Sequence, residues 1–564
     1  MLNRRSFLSG MAGLGALTVS GALTGCDGRQ APDAPSSANR PSTWVSCRIT
    51  EPHSIDPLFA TRESDLEVCN LIFDPLTAVN AETGEVEPRA CTSFSCSEDS
   101  RTFVFALPKG ATFHNGEAVD AASFKRSWER LVSRHILGTQ KTDQSASQEG
   151  NARVYLSGYG SLLEDVEGYD EVRSGDADEL SGLRCTDAFT LEVRLSRPFS
   201  AFAAIAAHPL LGPMPLEVAK TPDALLTTPV GNGPLCCKTA WDPDGKQLPN
   251  SIELAAFSKH QASGHGIDGA FLVVQDDTHA AYKSFQTGDL DICDVPVEQY
   301  REAEKAHGLS NDGNSIAPGQ RVACVHLPGL VYLDFLPESE TVKSLEMRRA
   351  ISCAIDREAL CEKSLRSSHD QALAPLSAAL APLETWHACS YDPEEAAKLL
   401  EAAYPEGEDG MRDCPVVLLH RKGGVLGRIA AQIAEDLSAV GVAVKVVAVE
   451  GDDLEERLAK GDVSCVLRSW EPCVPDSLCA TEELLQAGGW RLDEEAAKLK
   501  DELLVERDFV KRAKKISELW ALIERDLPFA PLAHPLRRKV ASERVVALDF
   551  DMMGRVDLAR AELM

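Results

Sequence analysis

The chain has 564 residues, of which 44% are hydrophobic and 26% are charged, and its formal net charge at pH 7 is −30. This composition is ordinary for a globular protein, and the length exceeds what one hydrophobic core usually serves, so two or three packed lobes are expected. The negative charge argues against nucleic acid or an anionic lipid surface as the partner, because both are themselves negatively charged.

The first 26 residues have the arrangement of an export signal. Arg4 and Arg5 precede an uncharged run, Ser6–Cys26, that is rich in Gly, Ser and Thr and therefore poor in apolar side chains for a permanent membrane span. The arginine pair resembles a twin-arginine signal, and Leu23–Cys26 resembles a lipobox. We predict a signal peptide over residues 1–25 and a lipid on Cys26; the alternative is an uncleaved anchor in which Cys26 is an ordinary cysteine.

Residues 26–43 are predicted to form a flexible tether. They are rich in Pro, Ser and Ala and have no apolar periodicity, so they cannot bury enough surface to fold. A lipid on Cys26 followed by this tether would hold the rest of the chain at the outer face of the cytoplasmic membrane. No later uncharged run approaches the length of a membrane helix, so no further span is predicted.

Seventeen cysteines are many for an exported protein. The closest sets are Cys91 with Cys96, Cys236 with Cys237, and Cys473 with Cys479. None has zinc-finger spacing with a suitable histidine pair, so no structural metal is predicted. We expect most of the cysteines to be buried thiols that behave as small hydrophobic side chains, while their pairing stays open.

The first half of the chain predicts short strands and few helices. Apolar and polar residues alternate in TWVSCRIT, RTFVFALPKG and FTLEVRLSRP, which predicts three strands. Between the last two lies an amphipathic helix with Asp120 as its N-cap and Trp128 on its apolar face, so Trp128 is expected in the core. Residues 135–182 predict a loop with one helical piece, and Gly288 ends a helix before a short strand.

The second half predicts alternating helices and strands. YDPEEAAKLLEAAY predicts a helix with Asp392 as its N-cap and Pro393 at its first position. The segments CPVVLLH, VLGRIAAQIAEDLSAVG and VAVKVVAV follow in the order strand, helix, strand, which predicts a βαβ unit in a mostly parallel sheet. A long helix in DFVKRAKKISELWALIERD comes next. The pattern is α/β throughout, with no long linker between lobes.

No set of residues supports a catalytic or cofactor site. The glycines at 264, 266, 423 and 424 do not open a helix in a phosphate-binding pattern, and G-x-S-x-G and H-E-x-x-H are absent from the sequence. The densest histidines, His260, His265 and His279, suit a solvated loop better than a metal site. We therefore predict a protein that is not an enzyme, with no catalytic residue, metal or cofactor.

An ordered series of motifs resembles the oligopeptide- and dipeptide-binding lipoproteins of ABC importers, the extracellular solute-binding proteins of family 5. The motifs are PHSIDP, FVFALPKGATFHNGEAVDAASF, TTPVGNGPL, MRRAISCAIDREAL, YDPEEAAKLLEAA and DLSAVGVAVKV, and together they cover residues 44 to about 540. The resemblance implies an α/β fold of two lobes, like the large peptide-binding class of type II periplasmic binding proteins. An extra subdomain, and a hinge that closes the lobes over a ligand, belong to that expectation.

The family pattern also implies a division of the chain. Hinge crossings are expected near residues 290–300 and 510–525. The assignment is an export signal over 1–25, a tether over 26–43, lobe I over 44–76, 184–296 and 520–564, an extra subdomain over 77–183, and lobe II over 297–519.

The resemblance implies a monomeric, membrane-anchored receptor that passes a peptide to the permease of an ABC importer. Two alternatives stay open. One is a receptor with the same fold for a non-peptide ligand, and the other is a secreted α/β enzyme or surface protein that has lost transport.

The residues that would hold a peptide depart from the family pattern. Peptide-binding members carry W-x-A-D-Y-x-D-P, whose aspartate pairs with the α-ammonium group of the peptide, whereas residues 470–477 read W-E-P-C-V-P-D-S. A neutral thiol at Cys473 cannot replace a charged hydrogen bond worth roughly 1.5–3 kcal/mol, although Glu471 or Asp476 could compensate. The residues that the resemblance assigns to ligand binding are Trp470, Glu471, Cys473, Asp476, Gly231, Asn232 and Gly233. The alternative for Trp470 is a buried core position.

Overall fold

The structure, a computed structural model, describes residues 40–137, 147–149, 152–220, 229–239, 250–260, 266–401, 404–407, 410–450 and 453–564. The predicted export signal, Cys26 and residues 26–39 of the predicted tether lie outside the described residues, as do Gly264 and His265. The described chain forms two compact units: residues 40–325 with 538–564 make up the first, and residues 326–537 the second.

The chain passes between the units at residues 325/326 and 537/538. Both crossings fall later in the chain than the predicted positions near 290–300 and 510–525. The first unit includes residues 77–183, which the sequence assigns to an extra subdomain. That finer assignment, with its lobe boundaries, stays a prediction.

The strands of the first unit are β1 (Trp44–Ile49), β2 (Thr77–Val79), β3 (Val86–Pro88), β4 (Ser93–Cys96), β5 (Thr102–Ala106), β6 (His135–Leu137), β7 (Ser147–Glu149), β8 (Ala152–Tyr155), β9 (Leu183–Asp187), β10 (Thr190–Arg194), β11 (Leu235–Cys237), β12 (Ser251–Ala256), β13 (Gly269–Val274), β14 (Ile292–Asp294), β15 (Ser315–Ile316) and β16 (Val322–His326, which ends in the second unit). Its helices are α1 (Glu63–Ile72), α2 (Ala121–Val132), α3 (Tyr169–Ser174), α4 (Phe202–Ile205), α5 (Leu216–Ala219), α6 (Thr278–Gln286) and α7 (Tyr300–His307).

The strands of the second unit are β17 (Leu330–Phe335), β18 (His369–Gln371), β19 (Arg412–Arg421), β20 (Val442–Val449), β21 (Cys465–Trp470) and β22 (Phe529–Ala541, whose last residues lie in the first unit). Its helices are α8 (Leu345–Ala354), α9 (Arg357–Ala359), α10 (Pro393–Glu401), α11 (Leu426–Ala439), α12 (Asp453–Ala459), α13 (Ser477–Gly488), α14 (Glu494–Val505) and α15 (Phe509–Glu524). The C-terminal strands β23 (Val545–Phe550) and β24 (Val556–Leu563) return to the first unit.

The main sheet of the first unit has the strand order β11-β12-β13-β1-β14, followed by the end of β22. Strand β1 runs parallel to β13 and β14, while β12 and β22 are antiparallel to their neighbours. A smaller antiparallel sheet has the order β4-β5-β10-β9. Trp128 of α2 is buried and its indole Nε1 donates to Leu211 O over 2.8 Å, which confirms the predicted core position.

In the second unit the strand order is β18-β22-β17-β21-β19-β20. Strands β19, β20 and β21 are parallel, and α11 connects β19 to β20, which confirms the predicted βαβ unit. Strand β17 is antiparallel to both β21 and β22. The predicted N-cap at Asp392 is also confirmed, because its Oδ1 accepts the backbone N–H of Glu395 over 2.9 Å.

The segment 135–182 contains more strand than predicted. Besides the expected helical piece, α3, it holds a three-stranded sheet of order β6-β8-β7. Runs of three or four residues are too short for alternation to be distinguished from a loop, and pairing with distant neighbours decides their conformation.

All sixteen cysteines that follow Cys26 are described as free thiols, and most are buried. Burial raises the pKa of the Cys47 thiol to about 12 and that of Cys361 to about 12. These neutral side chains fill the core in the way expected of small hydrophobic groups. In the described part of the chain, every helix is too short or too polar to cross a lipid bilayer.

Arg357 fixes the loops around α9 in the second unit. Its buried guanidinium donates through Nε to Pro531 O at 2.7 Å and through Nη1 to the carbonyls of Ser352, Ile355 and Cys389 at 2.9, 3.3 and 3.2 Å. Nη2 donates to the hydroxyl of Ser352 at 2.9 Å. The planar five-donor group thus satisfies acceptors from three separate segments of chain.

Arg357→Lys should destabilise the protein. A lysine ammonium has only three donors and no planar fork, so at least two buried acceptors lose their partner, at a cost of roughly 1–3 kcal/mol each. We expect a loss of about 2–5 kcal/mol in the free energy of unfolding, measured by chemical denaturation. Arg349→Lys, on the exposed side of α8, is the control and should change this free energy little. Equal stability of the two variants would contradict the assignment.

Candidate functional site

Each unit has an edge where parallel strands end. In open α/β sheets, ligands bind beyond the carboxyl ends of the strands. In the first unit, β1, β13 and β14 end together at Ile49, Val274 and Asp294. In the second unit, β19, β20 and β21 end at Arg421, Val449 and Trp470. These two edges are the candidate ligand-binding regions.

The edge of the first unit carries a network of charges in which the cations are buried and the carboxylates are partly buried. Arg48 Nη1 donates to Asp294 Oδ2 over 2.6 Å, and Arg48 Nε donates to Gln275 O over 2.8 Å. The ammonium of Lys539 lies 3.5 Å from Asp294 Oδ1 and 3.8 Å from Glu67 Oε1. Two cations and two carboxylates balance one another, as buried charges must.

The loop that follows β1 presents two exposed polar side chains at this edge. The carboxylate of Asp65 accepts four backbone N–H groups, two of them from His53 and Ser54, and so holds the loop against α1. The backbone N–H of Glu51 donates to Asp276 Oδ1 over 2.9 Å, while the side chains of Glu51 and His53 are exposed. Neither was predicted as a site residue; the signal in the sequence is the PHSIDP motif after the first strand, which contains His53 and directly follows Glu51.

The Gly231-Asn232-Gly233 turn packs against the segment around Ile72 and Asp74 in the first unit. Asn232 is buried, and its amide accepts from the backbone N–H of Asp74 at 2.9 Å and donates to the carbonyl of Asp74 at 3.0 Å. A Cβ on Gly231 would lie 2.0 Å from the carbonyl oxygen of Ile72, so only glycine fits there. Because these groups are used inside the unit, the turn supports the fold, and its predicted contact with a ligand stays a prediction.

His114 holds the same turn from the other side. Its Nδ1 accepts the N–H of Gly231 at 3.2 Å, and its Nε2 donates to the carbonyl of Gly233 at 3.0 Å. Both bonds require a neutral ring with its proton on Nε2. Burial lowers the pKa of His114 to about 4, which keeps this form populated at neutral pH.

The stability of the protein should therefore fall on acidification. In the unfolded chain His114 takes up a proton near its ordinary pKa of about 6.5, whereas in the folded protein it does so near pH 4. Between these values the unfolded state binds more protons, so the free energy of unfolding decreases as the pH falls. One such group contributes at most about 1.4 kcal/mol per pH unit.

His114→Gln should be less stable than the wild type at pH 7 but should lose less stability between pH 6.5 and 4. Urea unfolding at several pH values measures both slopes. The comparison isolates His114 because both proteins contain His208 and His369, whose pKa values burial lowers to about 3 and about 4 in the wild type. Parallel slopes would contradict the role assigned to His114.

Trp470 ends β21 at the edge of the second unit, where it pairs with Leu330. The residue is only 5% exposed, and its buried Nε1 has no hydrogen-bond acceptor among the described residues. Two residues earlier, Arg468 Nε donates to Asp334 Oδ2 over 2.8 Å. The burial of Trp470 favours the core alternative, and its contact with a ligand stays a prediction.

Asp476 is engaged within the protein. Its Oδ1 accepts the backbone N–H groups of Leu478 at 2.8 Å and Cys479 at 3.0 Å, which caps α13, and its Oδ2 pairs with Arg512 Nη2 at 2.9 Å. Both members of the ion pair are buried. These partners occupy both oxygens of the carboxylate and neutralise its charge, which favours a structural role for Asp476, and its predicted contact with a ligand stays a prediction.

Cys473 lies in the turn after β21 and is half-buried. Burial raises the pKa of its thiol well above the ordinary value, and Glu483 adds to the rise, so the thiol is neutral. The backbone N–H of Cys473 donates to Glu483 Oε2 over 3.0 Å. Glu471, in the same turn, is exposed. Glu483 was not predicted as a site residue, because ten positions separate it from Cys473 and no local pattern connects them.

A group of histidines also lies at the edge of the second unit. His326 Nδ1 is 3.0 Å from Asp370 Oδ2, and His534 Nδ1 donates to Gly329 O over 2.8 Å. His369, beside Asp370 in β18, pairs with Pro535 in the register of β22. The described residues include no group of three or more His, Cys, Asp or Glu arranged to hold a metal ion.

The chain is similar to a family of binding proteins and to several of its members. The family model for bacterial extracellular solute-binding proteins, family 5 (middle), matches residues 85–490. The dipeptide-binding protein DppE of Bacillus subtilis is 26% identical over 372 residues, which cover 64% of this chain. The match spans 61% of DppE, which is less than two thirds of the length of that relative. The oligopeptide-binding protein OppA of the same organism is 22% identical over 503 residues, 86% of each chain.

A solved structure shares the fold. The periplasmic murein tripeptide-binding protein MppA, in its unliganded open form, matches with a TM-score of 0.75 at 20% identity, covering 92% of this chain and 97% of that chain. The predicted α/β, two-lobed fold of the periplasmic binding proteins is thereby confirmed, and the family model confirms the resemblance read from the motifs.

Proposed function

The chain belongs to the bacterial extracellular solute-binding proteins of family 5, and we propose that it is a lipid-anchored receptor for a peptide or another small solute. On this proposal, Cys26 holds it at the outer face of the cytoplasmic membrane, and it delivers its ligand as a monomer to the permease of an ABC importer. It acts by binding and performs no catalysis. The observation that carries the proposal is the match to peptide-binding relatives along most of the chain.

Each unit has proposed ligand-binding residues at the carboxyl ends of its own parallel strands. The exposed Glu51 and His53 belong to the first unit, and Glu471 and Cys473 to the second. Trp470, with its unpartnered indole N–H, and the Gly231–Gly233 turn stay candidates from the sequence. A hydrogen-bond acceptor on the ligand would satisfy the Trp470 donor, since a buried donor without a partner is costly.

A receptor for a non-peptide solute is the second candidate. The observation that favours it is the neutral thiol of Cys473, at the position where the family pattern has an aspartate that pairs with the ammonium group of a peptide. A ligand without an ammonium group would need no charge there.

Native mass spectrometry of the tether-free protein tests the class of ligand. A peptide that co-purifies, or a tripeptide that binds from a mixed tripeptide library in calorimetry, is the expected result. A co-purifying solute that is not a peptide would favour the second candidate. Absence of binding to the library, with no co-purifying solute, would count against a peptide receptor.

Replacement of Cys26 tests the anchor. Cys26→Ala should move the protein from the membrane fraction to the soluble fraction, because the lipid is the proposed hydrophobic attachment. Cys96→Ala, which changes a half-buried thiol of the folded part, is the matched control and should stay with the membrane. Fractionation and immunoblotting measure both. Retention of Cys26→Ala in the membrane would support an uncleaved N-terminal anchor.

A further inference from the structure

We propose that His534 is a positioning residue of the second unit that couples the binding of a proton to the binding of ligand. Its imidazole holds Gly329, against which the turn at Trp470 and Glu471 packs, and a proton on the ring strengthens that hold. The inference rests on the proposed function and deepens it, because it adds control by pH to the same site.

The position of Gly329 is the first argument. Gly329 is buried and directly precedes β17, whose first residue, Leu330, pairs with Trp470. A Cβ on Gly329 would lie 2.9 Å from Cγ of Glu471 and 3.1 Å from the carbonyl oxygen of Trp470, so the backbone of Gly329 is packed against the turn. A displacement of Gly329 therefore shifts the turn as well, because close-packed segments transmit strain to one another.

The contacts between Gly329 and β22 are the second argument. The Nδ1–H of His534 donates to the carbonyl oxygen of Gly329 over 2.8 Å, and a Cβ on Gly329 would lie 2.9 Å from Cγ of Pro535. The backbone N–H of Leu327 donates to the carbonyl of Pro535 over 3.0 Å. Strand β22 thus fixes residues 327–329 through two neighbouring residues, of which His534 is the one that can take up a proton.

The surroundings of the imidazole are the third argument. Burial lowers the pKa of His534, while the carbonyls of Gly329 and Ala374 and the carboxylate of Asp370 favour the proton. A neutral imidazole has one N–H for these acceptors, whereas the protonated ring has two. A hydrogen bond from a charged donor is also stronger than one from a neutral donor. The protonated ring therefore holds Gly329 more firmly than the neutral ring does.

Other titratable groups lie beside His534. Asp370 of β18 is opposite His534 in the strand register, and its Oδ2 lies 3.0 Å from Nδ1 of His326, whose charge opposes a proton on His534. Burial lowers the pKa of His369, also in β18, to about 4, so this residue is neutral between pH 8 and 5. Glu471 is the acid of the turn itself. A test must therefore separate His534 from His326.

The sign of the effect follows from linkage between the two binding events. A firmer hold on Gly329 orders the turn before ligand arrives, so the protonated protein binds ligand more tightly. Coupling is reciprocal, and bound ligand therefore raises the pKa of His534. The affinity then rises as the pH falls through the pKa of the bound state and levels off below the pKa of the free state.

The first measurement needs no ligand. The seven tryptophans are replaced by 5-fluorotryptophan, and Trp470→Phe identifies the fluorine NMR resonance of Trp470. This resonance should titrate between pH 8 and 5 in the wild type. It should stay constant in His534→Gln, whose amide can still donate to Gly329 but takes up no proton. His326→Gln makes the same chemical change at the exposed neighbour and should keep the titration.

The second measurement is calorimetry of the wild type, His534→Gln and His326→Gln with a mixed tripeptide library at pH 7.5, 6.5 and 5.5. The wild type and His326→Gln should gain affinity relative to His534→Gln as the pH falls, by about three- to tenfold, since one proton changes affinity by at most about tenfold per pH unit. Protonation of the peptides is the same in all samples and cancels in this ratio. Thermal unfolding checks the fold, and His534→Asn serves as the second variant.

The outcomes separate this inference from the function on which it rests. A Trp470 resonance that is constant in the wild type, or that titrates equally in His534→Gln, would overturn the coupling. An affinity ratio that does not change with pH would also overturn it and would leave peptide binding standing. A wild type that does not bind the library would count against the peptide receptor, while the fluorine titration would still decide whether His534 controls the turn.

Discussion

The fold depends on buried charged side chains that form hydrogen bonds with the backbone of its loops. Without them, those backbone groups would need water as their partner. Arg357 donates to carbonyls of three segments in the second unit, and Asp65 accepts four backbone N–H groups in the first. A buried backbone group without a partner is costly, so a long loop can pack against a sheet only if something satisfies it. One ionised side chain with several donors or acceptors serves a whole loop at once, which fixes the loop and removes its freedom.

Several motifs that carry the family resemblance contain residues that make such hydrogen bonds. Asp56 of PHSIDP forms a two-fold hydrogen bond with Arg130 at 2.7 and 2.8 Å, and His114 of the FHNGE segment holds the Gly231–Gly233 turn. Arg357 lies in the middle of the AIDREAL segment. Three of these motifs therefore contain a residue that holds a loop to a sheet or to another turn. A fold held in this way can carry sites of different specificity, because the ligand is recognised by other residues than those that hold the loops.

The candidate site illustrates that freedom. At the turn after β21 the ionised groups come from different elements: Asp476 begins α13, Arg512 lies in α15, and Glu483 reaches back to Cys473. Asp476 was expected as a possible ligand group but serves the helix and Arg512, so its charge is used inside the protein. Glu483 brings a carboxylate to the turn at Cys473, and no local sequence pattern predicts this contact. Packing between helices therefore decides which of these charges is paired inside the protein.

The sequence by itself determined what depends on neighbouring residues. The N-caps at Asp120 and Asp392, the apolar face around Trp128, and the strand–helix–strand order of residues 412–449 all follow from interactions within a few positions. The ordered motifs also determined the family. Only the tertiary structure decided the short strands between residues 135 and 155, the burial of Trp470, and the contact of Glu483 with Cys473. These features depend on contacts between segments far apart in the chain, whose geometry no local pattern encodes, because distant packing and hydrogen bonding decide which side chains are buried and which charges meet.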